Sequence, residues 1–183
     1  FVACTERQSE IHKSNSKINK VKLLLDSLNV SDLSKSKKDI IVDEAFNLIV
    51  NLDNDSINRN NLLKLMIFNI ENQNWEKFNK NYYLLFNNSI QKKDSINIAN
   101  CYRYRAGYYR LNGVNDSAYY YYIKAENSYE KLKDDLNTAN ILLNKSIIQF
   151  NINDLLGAEL SISKSFNIYK NYDDKQKLFQ VYT

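Results

Sequence analysis

The sequence predicts an all-α protein built from repeated pairs of helices, and three observations point to that class. Its 183 residues include no proline and 3 glycines, too few for the tight turns of an all-β protein. Apolar residues recur at spacings of three and four, which is the period of an amphipathic helix. The pattern also repeats about every 40 residues, and a fixed period of this length is typical of stacked helical units.

Two kinds of residue mark this period independently. Phe78, Ala118 and Ala158 lie 40 residues apart on successive apolar helical patterns. Aspartates that precede helical patterns recur at spacings of 39, 40 and 40; they are Asp55, Asp94, Asp134 and Asp174. Because an aspartate side chain can accept hydrogen bonds from the free N–H groups at the start of a helix, we expect these residues to be N-caps.

The period divides the chain into consecutive segments. The predicted segments are a polar tether at 1–17, a degenerate first helix pair or cap at 18–54, helix pairs at 55–93, 94–133 and 134–173, and the first helix of a further unit at 174–183. Asn29, Ser31 and Asp32 supply the break between the two helices of the first pair. In the clearest unit, residues 111–116 form the turn between the two helices.

The N-terminal residues Phe1, Val2, Ala3 and Cys4 resemble a bacterial lipobox, in which the cysteine is lipidated after signal cleavage. This predicts membrane attachment through Cys4 on the periplasmic side of the cell envelope, as a lipid-anchored protein or one that precedes a downstream membrane helix. The alternative is that these residues are simply where the chain starts, in a cytoplasmic protein. No apolar run in the sequence approaches the roughly 18 residues of a membrane-spanning helix.

Charge and chemistry exclude several classes of function. The 25 basic residues are interleaved with 21 acids to a net charge of +4, which is typical of a solvated helical surface and not of a nucleic-acid footprint. The three glycines form no phosphate-binding loop. His12 is the single histidine and has no partner at metal-ligand spacing. Cys101 is expected to be a small core residue, and Asp134 with Asp135 a helix cap. We therefore expect no enzyme, no metal and no cofactor.

Tyr119 to Tyr122 form a run of four tyrosines. Four consecutive helical residues point in four directions, so one or two of these side chains must be exposed. Tyr122 belongs to the packing set, and we expect the others to fill space between helices. An aromatic face for stacking a peptide or a base is the alternative.

The best unit resembles a tetratricopeptide repeat. The resemblance rests on small and large residues at that family's spacing: Ala99, Tyr102, Ala106, Tyr109, Gly113, Ala118, Tyr122 and Ala125. The family's usual unit has about 34 residues and closes with a proline, whereas this chain has a longer period and no proline. The resemblance covers 55–183 and implies a right-handed α–α superhelix whose concave face binds a protein or peptide.

In that family the first helix of each unit lines the ligand groove. The matching positions are Asn100, Arg103, Gly107 and Arg110 in one unit, Asn140, Leu143, Ile147 and Phe150 in the next, and Asn60, Leu63, Ile67 and Ile70 in the unit before. Two arginines beside apolar positions would suit a peptide with an acidic group or a terminal carboxylate. The family's two-carboxylate clamp is not reproduced, because Gly107 stands where an asparagine is expected. The alternative is that Arg103 and Arg110 are solvated helix residues.

The whole pattern resembles the N-terminal sensing region of tetratricopeptide regulators from Bacteroidetes-type bacteria, which often continue into a histidine-kinase or LuxR-type module. That resemblance implies a non-catalytic region that binds a protein or peptide and leaves oligomerisation open. A second hypothesis is a cell-envelope adaptor lipoprotein. A third is a basic helical module that binds nucleic acid, which the interleaved acids disfavour, so we expect no nucleic-acid partner for this fragment.

Overall fold

The computed structural model describes residues 2–29 and 33–172, with side chains from residue 15 onward. Within these ranges it contains eight α-helices and no strand, which confirms the predicted all-α class. The helices are α1 (Val2–Ser27), α2 (Lys35–Ile49), α3 (Ser56–Glu71), α4 (Trp75–Gln91), α5 (Ser95–Leu111), α6 (Asn115–Leu132), α7 (Asp135–Asn151) and α8 (Leu155–Asn171). The chain divides into two compact units, Phe1–Asn88 and Ser89–Thr183.

The first compact unit packs α1, α2 and α3 against one another around buried aliphatic side chains. Its core includes Val21, Leu25, Val42, Ala45, Leu62 and Leu65. The start of α4 is joined to α2 by Lys77, whose ammonium lies 2.8 Å from Asp43 Oδ1. This ion pair holds the first turn of α4 beside the middle of α2.

The second compact unit contains two antiparallel helix pairs, α5–α6 and α7–α8. The same hydrogen bond closes each pair: Tyr129 donates to Asn100 Oδ1 at 2.7 Å, and Tyr169 donates to Asn140 Oδ1 at 2.8 Å. Small residues let these helices approach closely, and aromatic and branched residues fill the rest of the core. That core includes Ala99, Ala106, Ala118, Tyr122, Ala125, Tyr129, Ile141 and Ile148.

The aspartates of the repeat start the helices as their spacing predicts. The carboxylates of Asp55, Asp94 and Asp134 accept hydrogen bonds from backbone N–H groups three residues later, at 2.8, 3.2 and 3.1 Å. Asp154 caps α8 in the same way through the N–H of Gly157 at 3.0 Å. Asp174, and the further helix that we expect at 174–183, lie outside the described residues.

The helix ends reveal a shorter period inside the longer one. Helices α3 to α7 are each followed by one residue with positive φ, and these residues are 20 apart: Gln73, Lys93, Gly113, Lys133 and Asn153. After each of them, the next N–H donates to the carbonyl five residues earlier at 2.8–3.0 Å, the bond of a Schellman motif. The unit of construction is therefore one helix and one turn in 20 residues, used twice per repeat.

Only some of the predictions for the N-terminal segment fall on residues that the structure describes. The backbone of residues 2–17, which we expect to act as a tether, belongs to helix α1, and the tether role itself stays a prediction. Ser31 and Asp32, which should break the first helix pair, lie outside the described residues. No helix in the described ranges has the length and apolar character needed to cross a membrane.

Candidate ligand-binding face

The candidate face lies on the first helices of the two pairs in the second compact unit. The sequence places Asn100, Arg103, Gly107 and Arg110 on α5, and Asn140, Leu143, Ile147 and Phe150 on α7. Their spacings of three and four put each set along one side of its helix. A hydrogen bond of 2.9 Å from Arg103 Nη1 to Asn137 Oδ1 joins the α5 set to the first turn of α7.

Both arginines are half-buried beside a tyrosine hydroxyl. Arg103 lies next to the hydroxyl of Tyr129, and Arg110 next to that of Tyr122. They are therefore not the fully solvated helix residues of the alternative interpretation. Because α5 and α6 are antiparallel, two tyrosines seven residues apart on α6 meet two arginines seven residues apart on α5.

The two tyrosine hydroxyls stay protonated and so do not neutralise the arginine charges. Burial raises the pKa of Tyr129 to about 12, although the nearby Arg103 guanidinium opposes this. Burial also raises the pKa of Tyr122, again against the effect of Arg110. Within the described residues neither arginine has a carboxylate at ion-pair distance, so both cations are available to an acidic ligand.

Arg110 also has an unpaired hydrogen-bond donor. A guanidinium carries five N–H donors, and the Nε of Arg110 is buried without a hydrogen bond among the described residues. Gly107 lies between the two arginines along α5 and adds no side chain to that stretch. An oxyanion that reached this position could accept hydrogen bonds from either guanidinium.

The α7 side of the face is apolar. Ile147 is 45% exposed and Phe150 is 65% exposed, while Leu143 is half-buried. Exposed large apolar side chains in a row are typical of a protein-interaction surface. The sequence interpretation missed Ile96 and Leu136, which lie one turn earlier on α5 and α7 and are exposed too. Their 40-residue spacing is the signal that could have found them.

Two of the predicted groove residues also have a structural role. Asn100 and Asn140 accept the hydroxyl hydrogen bonds of Tyr129 and Tyr169. Their carboxamides therefore position the second helix of each pair as well as lining the face. In the preceding unit Ile70 is buried, so this one of the expected positions on α3 is not accessible to a ligand.

The tyrosine run follows the sequence expectation. Tyr122 is buried, Tyr119 and Tyr121 are half-buried against the core, and Tyr120 is exposed. Tyr121 stacks on Tyr109 of α5, with ring centroids 5.5 Å apart. Most of this aromatic surface is therefore used in packing α5 against α6.

The nucleophile and metal candidates give no site in the described part of the chain. Cys101 is completely buried, and burial raises the pKa of its thiol far above the ordinary value, which makes it inert. Cys4 and His12 lie in α1, but their side chains are outside the described residues. No group of three or more histidine, cysteine, aspartate or glutamate side chains converges among the residues searched, which are the described ones.

The comparisons with known proteins assign the chain to no family. No protein-family model matches the sequence, and no curated protein matches it either.

Proposed function

We propose that this chain is a non-catalytic scaffold resembling the tetratricopeptide proteins, and that it binds a peptide or protein segment combining an acidic group with apolar side chains. One observation carries the proposal: Arg103 and Arg110 on α5 are half-buried with no ion-pair partner among the described residues, and Arg103 is bonded to α7, the helix that exposes Ile147 and Phe150. A carboxylate would bind the arginines, and the neighbouring apolar side chains of the ligand would cover the α7 stripe.

The finer architecture of the proposal is a right-handed α–α superhelix of helix pairs. It is supported by contacts that recur at the period of the sequence. The Tyr129–Asn100 and Tyr169–Asn140 hydrogen bonds are 40 residues apart, as are the caps at Asp94 and Asp134. Units with the same internal contacts stack in the same way, which is how solenoids form an extended binding face.

We also propose that the chain is the sensory region of a larger bacterial signalling protein attached through a lipid on Cys4. The lipobox-like Phe1 to Cys4 supports this part. Metabolic labelling with an alkyne fatty acid, in the native host, tests the lipid directly. We expect label on the wild type and none on Cys4→Ser, while label on both would contradict the anchor.

The test of the binding face is calorimetric titration with short peptides in which one glutamate is flanked by leucines. Arg103→Ala and Arg110→Ala are each expected to weaken binding about tenfold or more, because each removes charge-assisted hydrogen bonds. Arg103→Lys should lie between wild type and Arg103→Ala, since lysine keeps the charge but loses the bidentate geometry. Lys164→Ala, which removes an exposed charge on α8, is the matched control and should change nothing.

A peptide with glutamine in place of glutamate separates charge from apolar contact. We expect it to bind the wild type about as weakly as the acidic peptide binds the arginine variants. Equal affinity of both peptides for the wild type, or an unchanged affinity in both alanine variants that retain their helical circular dichroism, would contradict the proposed face.

A further inference from the structure

We propose a second binding site, in the first compact unit, for a small organic carboxylate with an aromatic or aliphatic body. The site is a cavity of about 560 Å³ between the beginning of α2 and the α3–α4 turn. Cavities of roughly 300–1,000 Å³ are the size that small-molecule ligands occupy. The site is separate from the α5 and α7 face and does not depend on the function proposed for that face.

The apolar part of the cavity wall comes from three elements. Leu33 precedes α2, Phe68 lies in the last turns of α3, and Trp75 is the first residue of α4. Trp75 is the single tryptophan of the chain. An aromatic and aliphatic wall of this kind fits the body of an organic acid better than a bare inorganic anion, because inorganic anions bury no apolar surface.

The amino end of α2 is the part of the cavity that favours an anion. Lys35 and Lys38 lie in its wall in the first turns of α2, and the amino end of a helix adds a partial positive charge. Neither lysine has an ion-pair partner within the described residues. Two carboxylates, Asp39 and Glu76, line the same cavity, and the charge of Asp39 is partly offset by Lys77.

Asp39 is partly compensated, because it shares the ammonium of Lys77 with Asp43, which lies closer to that ammonium at 2.8 Å. Lys77 Nζ lies 3.4 Å from Asp39 Oδ1, and Asn74 Nδ2 lies 3.5 Å from the same oxygen. Burial lowers the pKa of Lys77, but the carboxylates of Asp43 and Asp39 outweigh that effect and raise it, so Lys77 stays charged. Lys35 and Lys38 therefore meet the carboxylate of Glu76 and the partly compensated carboxylate of Asp39, so the preference for an anion comes from the amino end of α2 and from the donors of the wall.

An orphan donor in the wall points to the same ligand chemistry. Asn69 lines the cavity and is only 1% exposed, and its Nδ2 has no hydrogen-bond partner among the described residues. The backbone carbonyl of Asn69 accepts a hydrogen bond from the N–H of Asn74 at 2.8 Å, which holds this part of the wall in place. Buried polar groups are nearly always paired, and a carboxylate oxygen in the cavity would supply the missing acceptor.

The test is titration of the full chain with phenylbutyrate, naphthoate and octanoate, followed by selectively excited Trp75 fluorescence and by ligand-observed NMR. Each acid is paired with the alcohol and the amine of the same skeleton. At least one acid should bind with a roughly millimolar or tighter Kd, its alcohol about tenfold more weakly, and its amine more weakly still. Failure of all three acids, or equal affinity for acid and amine, would overturn the proposal.

Variants locate the site within the chain. Lys35→Gln combined with Lys38→Gln should weaken binding of the acid about tenfold. Lys37→Gln removes one positive charge from the same helix turn at a position outside the cavity wall; it should bind as the wild type does, whereas the single variants Lys35→Gln and Lys38→Gln should each bind more weakly. Equal weakening by Lys37→Gln would show a general charge effect and refute the site.

Asn69→Leu separates a ligand-binding role from a structural one. Replacing an unpaired buried amide by an apolar group of similar volume should raise the thermal midpoint while weakening the acid about threefold or more. Unchanged affinity in this variant would show that Asn69 does not donate a hydrogen bond to the ligand, which would contradict the proposed role of the ligand's carboxylate as its acceptor. Trp75 lies in the wall of this cavity and no residue of α5 or α7 does, so its fluorescence reports binding at this site and keeps the outcomes for the two sites distinguishable.

Discussion

The helix pairs α5–α6 and α7–α8 occupy matching positions of the repeat and contain the same tyrosine–asparagine hydrogen bond. The equivalent residues around that bond nevertheless make different contacts. In α5–α6, Tyr109 stacks on Tyr121 with ring centroids 5.5 Å apart. In α7–α8 the equivalent residues are Gln149 and Ser161, whose side chains share a buried hydrogen bond of 2.7 Å. The repeat therefore fixes the antiparallel pairing of the helices, while the side chains packed between them differ from one pair to the next.

The outward faces of the two pairs differ in the same way. Arg103 and Arg110 on α5 correspond, at a separation of 40 residues, to Leu143 and Phe150 on α7. A cationic stretch and an apolar stretch therefore stand at equivalent places on neighbouring first helices. This difference on a shared scaffold is what the proposed peptide ligand would recognise.

The largest expected loss of stability comes from changing the buried tyrosine that both pairs share. Tyr129→Ala and Tyr169→Ala each remove a fully buried ring and its hydrogen bond, and each should lower the free energy of unfolding by about 3–5 kcal/mol. The matched Phe variants lose only the hydroxyl bond and should cost about 1 kcal/mol. Urea denaturation measures all four, and a large loss in one pair with none in the other would show that the pairs are not equivalent.

The next largest loss of stability is expected from Gln149, at a position where the two pairs differ. Gln149 links the two helices by donating to Asp154 Oδ2 at 2.9 Å and accepting from Ser161. Gln149→Leu leaves the buried Ser161 hydroxyl without its acceptor and should cost about 1–3 kcal/mol. The double change Gln149→Leu with Ser161→Ala should recover most of that loss. No recovery in the double variant, in the same denaturation experiment, would contradict the role given to this hydrogen bond.

Gly157 offers a sharper comparison at the start of the second helices. A Cβ there would lie 2.0 Å from Asp154 Oδ2, so Gly157→Ala must displace the carboxylate that caps α8. We expect a loss of about 1 kcal/mol, the usual cost of a lost N-cap. The equivalent change in α6, Ser117→Ala, meets no side-chain cap, because Val114 supplies none, and should be neutral or slightly stabilising. Thermal denaturation that finds equal effects would contradict this reading of the cap.

The turns inside the two pairs give an effect of similar or smaller size. Gly113 has φ of 72° with nothing near its missing Cβ, so Gly113→Ala should cost about 1 kcal/mol through backbone strain alone. Asn153 has φ of 62° in the matching turn. Asn153→Gly should stabilise by a few tenths of a kcal/mol, because asparagine already tolerates this conformation. Opposite signs for the two variants in urea denaturation are the expected result.

The smallest effect at neutral pH is that of ionisation, which becomes visible only in alkali. Burial raises the pKa of Tyr129 to about 12, so between about pH 10 and pH 12 the unfolded chain loses this proton before the folded chain does. Stability should then fall by about 1.4 kcal/mol per pH unit for this group, and be unaffected below that range. Tyr129→Phe should show a correspondingly shallower alkaline loss, and an identical slope would contradict the burial effect.

The sequence predicts the helix starts well because the signal is local. An aspartate followed by an apolar helical pattern needs only its own next turn to act as a cap, and Asp55, Asp94 and Asp134 all do so. The helix ends were harder to predict. Gln73, Lys93 and Lys133 adopt a backbone conformation that favours glycine. Because packing of the flanking helices determines the backbone there, the residue type at these positions does not predict the turn.

The candidate sites could be predicted only as faces. Spacing alone places Arg103 with Arg110, and Ile147 with Phe150, on one side of a helix. It gives no hint that tyrosines from the second helix hold the arginines half-buried, since that depends on how α5 and α6 pack. The cavity beside Trp75 was not predicted, because its walls come from three elements that are distant in sequence and meet only in the folded unit.

The binding face is tested most directly by mapping amide chemical shifts of the labelled full chain during titration with the glutamate-and-leucine peptide. We predict that the largest changes fall on α5 around Arg103 and Arg110 and on α7 around Ile147 and Phe150, with saturation that disappears for the glutamine peptide. Changes confined to other helices, or no saturable change with the acidic peptide, would contradict the assignment of this face.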